Sequence, residues 1–424
     1  MRRSPVGKLF LLAFATCTAV GVGCGLYDGL VNEPVLTSEE EEENGEDCED
    51  CIGLCIVGEC RQVDGITAGA RHSCARLDGG DVACWGANGR GQLGVADTGN
   101  QARPTLVDGV EAAVAVDAGW QHTCAVVASG DALCWGDNDA LQLGRTTNED
   151  WDFRPWPVTG LGFVREIAAG YDHTCAIDSA GRLFCWGGDL LGQLGRGSGD
   201  NDGSLAVYTP VSVQGFSGAD SQAQSISAGW FVSAAVDDAG EVWTWGDNEY
   251  GKLGTASVEE DSVDSPVKVE SLEGGVAIRA GWRHVCTIVD SGDLLCWGDN
   301  QTRQLGRSSP EPHSATPAPV DGLGSVTVVH TGWGGHSCAG TADGLYCWGD
   351  GEHGQIGDGR SGNDAIAGSA TLALDGPVID VAAGLQHTCA LSATGEVYCW
   401  GANDSGQLGI GPGFASATEP RRVE

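Results

Sequence analysis

The sequence predicts an all-β fold, a closed ring of seven four-stranded sheets known as a seven-bladed β-propeller. The first observation is a fixed period: Trp-Gly, preceded by Cys in six copies and by Thr244 in the other, recurs at spacings of 50, 51, 59, 52, 51 and 52 residues. Periods of this length are typical of propellers and related repeat folds. The second observation is that each copy carries signals for about four short strands. Such a unit cannot bury both faces alone, whereas seven in a ring can.

Each copy is read as a central hairpin flanked by two further strands. In the second copy, strands are expected over residues 122–127 and 132–136, and Gly130 lies in the turn between them. Gly suits the positive φ of tight hairpin turns. A loop that reads Gly-Gln-Leu-Gly in three copies follows, then an outer strand with Pro, such as 210–213, and a strand leading into the next copy, such as 164–167.

The two ends of the repeat region suggest how the ring closes. Residues 63–67 precede the first hairpin without an outer strand before them, and residues 420–423 are an outer-strand segment with no hairpin after it. We therefore expect the last strand to complete the blade that the first strand begins.

The copies resemble the RCC1 repeat, named for the regulator of chromosome condensation. The matching motifs are Ala/Ser-Gly-x-x-His-x-Cys-Ala, Gly-x-x-x-Cys-Trp-Gly and Gly-Gln-Leu-Gly, over roughly residues 63–424. The resemblance implies a seven-bladed RCC1-like propeller that binds proteins on one face. For the chromatin member of the family it implies guanine-nucleotide exchange on a small GTPase. The exchange loops are not encoded by the repeat, so no exchange residue is assigned and function is not set by the fold.

The N-terminus predicts export. Basic residues and an apolar run over 9–22 are typical of a signal peptide, assigned to 1–23. Small residues before Cys24 resemble a bacterial lipidation signal, although Gly21 stands where Leu is usual. We expect a lipoprotein at the outer membrane, cell surface or periplasm, with simple secretion or an uncleaved anchor as alternatives. Residues 24–47, rich in Glu, are interpreted as an acidic disordered linker.

The net charge of −37 argues against nucleic-acid partners, because an acidic surface repels phosphate backbones. Membrane contact is expected only through the lipid anchor. The sequence contains no recognisable catalytic motif, and we expect a protein without enzymatic activity, cofactor or metal. An enzyme with a site at the channel mouth is the alternative, and it requires carboxylates or His to converge there.

The cysteines predict disulfides inside the blades. Six pairs lie nine or ten residues apart within hairpins, and a turn midway places the two members opposite each other, within disulfide range. In the fourth copy, Ala234 and Thr244 replace both members together. This joint loss indicates bonded pairs, with free buried thiols as the alternative. The predicted pairs are Cys74 with Cys84, Cys124 with Cys134, Cys175 with Cys185, Cys286 with Cys296, Cys338 with Cys347, and Cys389 with Cys399.

A second group of cysteines precedes the propeller. Residues 48–62 are interpreted as a Cys-rich knot containing two disulfides whose connectivity is open, with a metal site as the alternative. The group consists of Cys48, Cys51, Cys55 and Cys60.

Two further positions recur around the ring. A His two residues before the first Cys, replaced by Val232 in the fourth copy, is interpreted as a structural hydrogen-bonding group, since one ring per blade is too dispersed for a metal. The residue after the repeat Gly is aromatic in five consecutive copies. The aromatic set is Trp120, Tyr171, Trp230, Trp282 and Trp333.

This aromatic set is the candidate binding site. An arc of exposed aromatics is typical of a protein- or glycan-binding surface; packing between blades and light sensing are the alternatives. The sequence thus predicts an exported, lipid-anchored scaffold that binds a protein or polysaccharide through one propeller face.

Overall fold

The computed structural model describes residues 48, 51–147, 149–197, 205–218, 221–255, 260–362, 371–372, 374 and 377–424. The signal segment, Cys24 and the acidic linker lie outside these residues. Within the described ranges, no helix has the length and apolar character needed to cross a membrane.

The described residues form seven antiparallel four-stranded sheets and one separate hairpin, which confirms the seven-bladed propeller. The hairpin consists of β1 (Leu54–Ile56) and β2 (Glu59–Arg61). Blade 1 contains β3 (Val63–Ala68), β4 (His72–Leu77), β5 (Val82–Gly86) and β6 (Gln101–Leu106), and blade 2 contains β7 (Ala113–Ala118), β8 (His122–Val127), β9 (Ala132–Asp137) and β10 (Trp151–Pro157). Blade 3 contains β11 (Val164–Ala169), β12 (His173–Asp178), β13 (Leu183–Gly188) and β14 (Ala206–Ser212), and blade 4 contains β15 (Ala223–Ala228), β16 (Val232–Asp237), β17 (Val242–Asp247) and β18 (Ser262–Lys268). Blade 5 contains β19 (Gly275–Ala280), β20 (His284–Val289), β21 (Leu294–Asp299) and β22 (His313–Pro319), and blade 6 contains β23 (Val326–Thr331), β24 (His336–Thr341), β25 (Gly344–Gly349) and β26 (Thr371–Leu372). Blade 7 contains β27 (Val378–Ala383), β28 (His387–Ser392), β29 (Val397–Gly401) and β30 (Ala417–Arg422). Short 3₁₀ turns lie at Asp78–Gly80 and Glu249–Gly251.

The expectation of a shared closing strand is wrong. The last strand, β30, pairs with β29, and every blade is built from four consecutive strands. The first blade already has its four strands in β3 to β6, so β30 is not needed to complete it. The ring closes by packing β27 and β28 against β3.

The Cys-rich knot lies at this closing seam and holds two disulfides. One joins Cys48 to Cys55, and the other joins Cys51 to Cys60. The connectivity that the spacing left open is therefore first to third and second to fourth.

The knot contacts both sides of the seam. Arg61 forms salt bridges with Asp78 and Asp81 of blade 1, while Arg422 of blade 7 donates a hydrogen bond to the Cys51 carbonyl. The apolar side chains of β1 are buried in one cluster with residues of blades 1 and 7. The knot thus packs against the first and last blades at once.

Inside each hairpin, the two repeat cysteines are directly opposite in the strand register and bonded, with Cα atoms 4.1 to 4.2 Å apart. This is near the closest approach of an antiparallel ladder. In blade 4 the opposed pair is Ala234 and Thr244, and the Thr244 hydroxyl donates to the Leu253 carbonyl at 2.7 Å. The bonds join Cys74 and Cys84, Cys124 and Cys134, Cys175 and Cys185, Cys286 and Cys296, Cys338 and Cys347, and Cys389 and Cys399.

One of these hairpins is a residue shorter than the others. Cys338 and Cys347 are nine positions apart, whereas the other five pairs are ten apart. The turn between β24 and β25 absorbs the difference, because Thr341 pairs directly with Gly344 and the ladder stays in register. The shorter turn therefore leaves the two cysteines opposite each other.

Neighbouring blades are joined through the Trp of each Trp-Gly motif. All seven of these Trp side chains are fully buried. Each indole Nε1 donates to a carbonyl in the loop that follows the hairpin of the preceding blade, as Trp135 does to Gln92 at 3.0 Å. Trp85 makes the same bond to Gln407 at 3.0 Å, so the closing seam follows the rule of the other junctions.

Candidate functional site

The six repeated His side chains lock adjacent blades together. The Nε2 atom of each lies 2.7 to 3.0 Å from a hydroxyl of the next blade, as His72 does from Thr123 at 3.0 Å. The Thr123 hydroxyl donates in turn to the carbonyl of Gln92 at 2.9 Å, so it accepts from His72 and the imidazole proton lies on Nε2. Burial lowers the pKa of His72 to about 3, which keeps the ring neutral.

Blade 4 departs from this pattern at both ends of the bond. Val232 replaces the His, and Val285 of blade 5 replaces the hydroxyl residue that it would bind. Both are fully buried in one apolar cluster. The sequence already contained this second joint loss, which supports a structural role for the other six His.

A closed belt of backbone hydrogen bonds surrounds one mouth of the central channel. The residue after each repeat Gly donates its N–H to a carbonyl of the next blade, and Leu385 donates to Ala70 at 3.0 Å to close the circle. The belt fixes the main chain from which the aromatic side chains project. The seven donors, with distances of 3.0 to 3.3 Å, are Ala70, Trp120, Tyr171, Trp230, Trp282, Trp333 and Leu385.

The aromatic side chains converge on one another across the channel mouth. The Trp120 ring lies 5.3 Å from Tyr171, 5.4 Å from Trp230 and 6.1 Å from Trp333, which belong to blades 3, 4 and 6. Tyr171 and Trp230 are 4.0 Å apart, and Trp282 lies 5.9 Å from Trp230. We call these five residues with Phe231, which packs on Tyr171 and Trp230, the aromatic cluster.

The aromatic cluster is partly open to solvent. Trp333 is 5 % exposed, whereas the other members are half-buried. The rings thus pack between blades, and five of the six also keep part of their surface open to solvent. Offset and edge-on pairs of this kind are favourable geometries for aromatic rings.

Cationic groups contact the aromatic cluster. Arg283 lies over the Trp282 ring at 3.9 Å and near Tyr250 at 5.0 Å. Lys252, 1 % exposed, replaces the repeat Gln and donates to the Asp247 carboxylate and to the Trp230 carbonyl at 3.3 Å. Burial lowers the pKa of Lys252, although Asp247 opposes this.

The position of Asp247 carries Asp in other blades as well. Gln142 donates to Asp137 at 2.8 Å and Gln304 donates to Asp299 at 3.0 Å. Burial, with Asp139 nearby, raises the pKa of Asp137 to about 6. Blades 2, 4 and 5 thus each hold a carboxylate at this position by a hydrogen bond from the loop that follows.

Below the aromatic cluster, the innermost strands line an axial cavity of about 220 Å³. It contains Asp117, Glu166, Arg279, His330 and Asp380. Burial raises the pKa values of the three carboxyl groups. These residues are far apart in sequence, and only the ring geometry brings them together. Over the described residues, no group of His, Cys, Asp or Glu has the arrangement of a metal site.

The convergence that the enzyme alternative requires is therefore partly present, in the channel interior. Each of these carboxylates, however, accepts a backbone N–H of the next blade, as Asp117 does from Ala169 at 2.8 Å. The strand whose N–H is capped is the innermost of its sheet, so it has no neighbouring strand on that side.

The comparison with known protein families matches the chain one repeat after another. The profile described as the Regulator of chromosome condensation (RCC1) repeat matches seven segments: 79–126, 129–177, 180–236, 239–288, 291–339, 343–391 and 394–424. The chain belongs to the RCC1-repeat family.

The curated relatives of this RCC1-repeat protein are named as different kinds of protein. The Ultraviolet-B receptor UVR8 of Arabidopsis thaliana is 34 % identical over 358 residues, covering 83 % of this chain and 79 % of the receptor. The E3 ubiquitin-protein ligase HERC2 of Homo sapiens is 31 % identical over 321 residues, covering 73 % of this chain but 6 % of the ligase.

Solved structures show the same fold. Prp20p from Saccharomyces cerevisiae gives a TM-score of 0.69 at 21 % identity, covering 86 % of this chain and 87 % of that one. Human WBSCR16 gives 0.67 at 22 % identity, covering 81 % and 94 %.

Sequence reasoning missed the channel residues of this RCC1-repeat protein. Asp117 falls at the same register position as Arg279 and His330, directly opposite the first Cys of its hairpin. Aligning the copies at Cys would have revealed this set of polar residues.

Proposed function

We propose that this protein is an exported, lipid-anchored scaffold that binds a protein partner through the face carrying the aromatic cluster. The observation that carries the proposal is the aromatic cluster itself: partly exposed Trp and Tyr rings held on a hydrogen-bonded belt. Large rigid aromatics are the commonest energetic anchors of protein interfaces. A fixed main chain lowers the entropy lost on binding.

The charges around the aromatic cluster favour a basic partner surface. Asp137, Asp247 and Asp299 end β9, β17 and β21 at the same end of their blades as the aromatic cluster, and the whole chain has a net charge of −37. The loops of variable length after each Trp-Gly motif leave the blade at the same end as the aromatic cluster, because both connect strands at that end. These loops would add specificity around a common aromatic centre.

One protein of similar fold supports protein binding. The structure report of Prp20p describes its binding to Gsp1p and histones, and another structure contains the same protein, yeast RCC1 (Prp20), bound to Kap60. The acidic surface of this chain argues against DNA or RNA as its own partner.

Export is supported by two features. The N-terminal basic and apolar segment with Cys24 has the form of a bacterial lipoprotein signal. Eight disulfides join the described cysteines, which is typical of an oxidising compartment. An exported propeller would not meet a cytosolic GTPase, so we place nucleotide exchange below protein binding.

The test is capture of envelope proteins by the tagged full chain and by two variants. We expect Trp120→Ala with Trp282→Ala to weaken binding of the captured partner at least about thirtyfold, since a single anchor aromatic contributes about 2 kcal/mol or more. Trp156→Ala is the matched control, because Trp156 is 48 % exposed on the outer strand β10. Affinities are measured with the purified partner.

Equal binding by the double variant and the wild type would remove the aromatic cluster from the interface. Selective retention on a glycan array, lost in the same double variant, would assign the face to a polysaccharide. Turnover of a substrate that is abolished by Glu166→Gln but not by the double variant would favour the enzyme alternative.

A further inference from the structure

The axial cavity holds more charge than the fold requires. In three blades, a carboxylate caps a backbone N–H of the next innermost strand: Asp117 with Ala169 at 2.8 Å, Glu166 with Ile226 at 3.1 Å, and Asp380 with Ile66 at 3.0 Å. In three others a neutral group makes the same kind of contact: Thr67 with Ala118 at 3.1 Å, Ser227 with Ala280 at 2.9 Å, and His330 with Ala383 at 3.2 Å. Capping therefore needs an acceptor but not a charge.

The charges of the cavity do not balance among the residues that line it. Three carboxylates face one guanidinium, that of Arg279. Arg165, outside the lining, approaches Glu166 only to 3.9 Å and donates to the carbonyls of blade 4. His330 is neutral, because its Nδ1 accepts the Ala383 N–H and burial lowers its pKa to about 3. Arg76, also outside the lining, pairs with Asp64 and acts on Asp380 only at longer range. A formal excess of two negative charges remains among the lining residues, and unbalanced buried charge is unfavourable unless a cation or protons compensate it.

A second feature of the cavity also points to a ligand. Thr331 lines it, is 3 % exposed, and has a hydroxyl without a hydrogen-bond partner among the described residues. A buried hydroxyl without a partner costs free energy, and this one is not part of the repeat pattern. The other six blades have Ala at this position: Ala68, Ala118, Ala169, Ala228, Ala280 and Ala383.

We propose that the axial cavity binds a small alkylammonium cation. The ammonium group would donate to a remaining lone pair of Glu166 or of Asp380 and to the Thr331 hydroxyl, while its alkyl chain would lie against apolar side chains such as Ile167 and Val381, which also line the cavity. The described carboxylates do not form a metal-type cluster, which favours an organic cation over a directly bound metal ion. This site is distinct from the protein-binding face.

The geometry also defines the route of entry. Trp333 lines the cavity and belongs to the aromatic cluster that covers one channel mouth. A ligand would enter from the opposite mouth, where the hairpin turns lie. Binding should therefore survive Trp120→Ala with Trp282→Ala.

The experiment is isothermal titration of the full chain at pH 7 with n-butylammonium chloride and with 1,4-diaminobutane. We expect one saturable site, and we expect Glu166→Gln or Asp380→Asn to weaken it about tenfold or more. Both replacements keep an oxygen acceptor for the capped N–H, so the fold should persist. Glu241→Gln is the matched control, because Glu241 pairs with Lys268 and neither residue lines the cavity.

Thr331→Val separates binding from folding. The hydroxyl has no described partner, so this change should leave the melting temperature unchanged or higher while weakening amine binding. Loss of stability without loss of binding would overturn the proposed role of Thr331. Equal heats from sodium chloride at matched ionic strength, or tighter binding of sodium butyrate, would overturn the ammonium site.

Discussion

Val232 of the fourth blade and Val285 of the fifth occupy the two positions that elsewhere hold a hydrogen-bonded His and its hydroxyl partner, and both are fully buried in one apolar cluster. An apolar pair thus replaces a polar pair at one junction of the ring. A polar group and its partner can be exchanged together for apolar groups at small net cost, whereas losing one partner is expensive.

We expect Val232→His and Val285→Ser each to destabilise the propeller by about 1 to 3 kcal/mol, because each leaves a buried polar group unpaired. The double variant should lose less stability than the sum of the two single losses, because the new imidazole and hydroxyl could bind each other. The Gly that lies three positions before the His in the other blades is already present in blade 4 as Gly229. Urea unfolding of the four proteins gives the coupling energy. Additive losses would contradict the pairing.

The neutral buried His side chains predict acid sensitivity. Burial lowers the pKa of His72, His122 and His284 to about 3 and that of His336 to about 4. Between these values and the unfolded value of about 6.5, the unfolded chain binds more protons than the native one, so stability falls as pH falls through this window.

The raised pKa values of Asp117, Glu166 and Asp380 act in the opposite direction, because the native state then holds protons more tightly than the unfolded chain. Urea midpoints at pH 7, 5.5 and 4.5 and constant ionic strength measure the balance, and we expect a net decrease. His72→Asn, which keeps a donor for Thr123 but does not titrate, should flatten the profile. An unchanged midpoint over this range would argue against neutral buried imidazoles.

The disulfide of another blade should be replaceable by the Ala and Thr that blade 4 has at the two equivalent positions. Cys124→Ala with Cys134→Thr copies Ala234 and Thr244, and we expect a native fold with a loss of roughly 2 to 3 kcal/mol in the chain-entropy view of short loops. Either single change should leave one reactive thiol. Intact mass after alkylation, with and without reductant, counts the bridges. Alkylation of the wild-type propeller without reductant would disprove them.

The Cys-rich knot should stabilise the closing seam. One variant replaces Cys51 and Cys60 by Ala and so removes their disulfide, and a second, Arg422→Ala, removes the contact with the Cys51 carbonyl. We expect either variant to raise the rate of hydrogen exchange in β3, β4 and β30 before the other blades. Arg360→Ala is the control, since Arg360 lies on an exposed loop and pairs locally with Asp358. Uniform exchange across all blades would show that the seam has no special dependence on the knot.

Local pattern determined much of this protein. The period of Trp-Gly predicted seven blades, and the register of Cys124 with Cys134 followed from a turn placed midway between them. The joint absence of Cys in blade 4 was readable because both members of that pair lie within one hairpin.

Other features were decided only by the closed ring. Trp120 and Trp333 lie in the second and sixth blades, yet their rings meet across the channel mouth. The cavity likewise assembles Asp117, Arg279 and Asp380 from three blades. Strand alternation sets the face on which a residue lies, but the distance between residues of different blades depends on the radius and closure of the ring. For the same reason, the sequence wrongly predicted that the last strand would complete the first blade. Closure of the ring depends on packing between whole blades and not on which strand comes last.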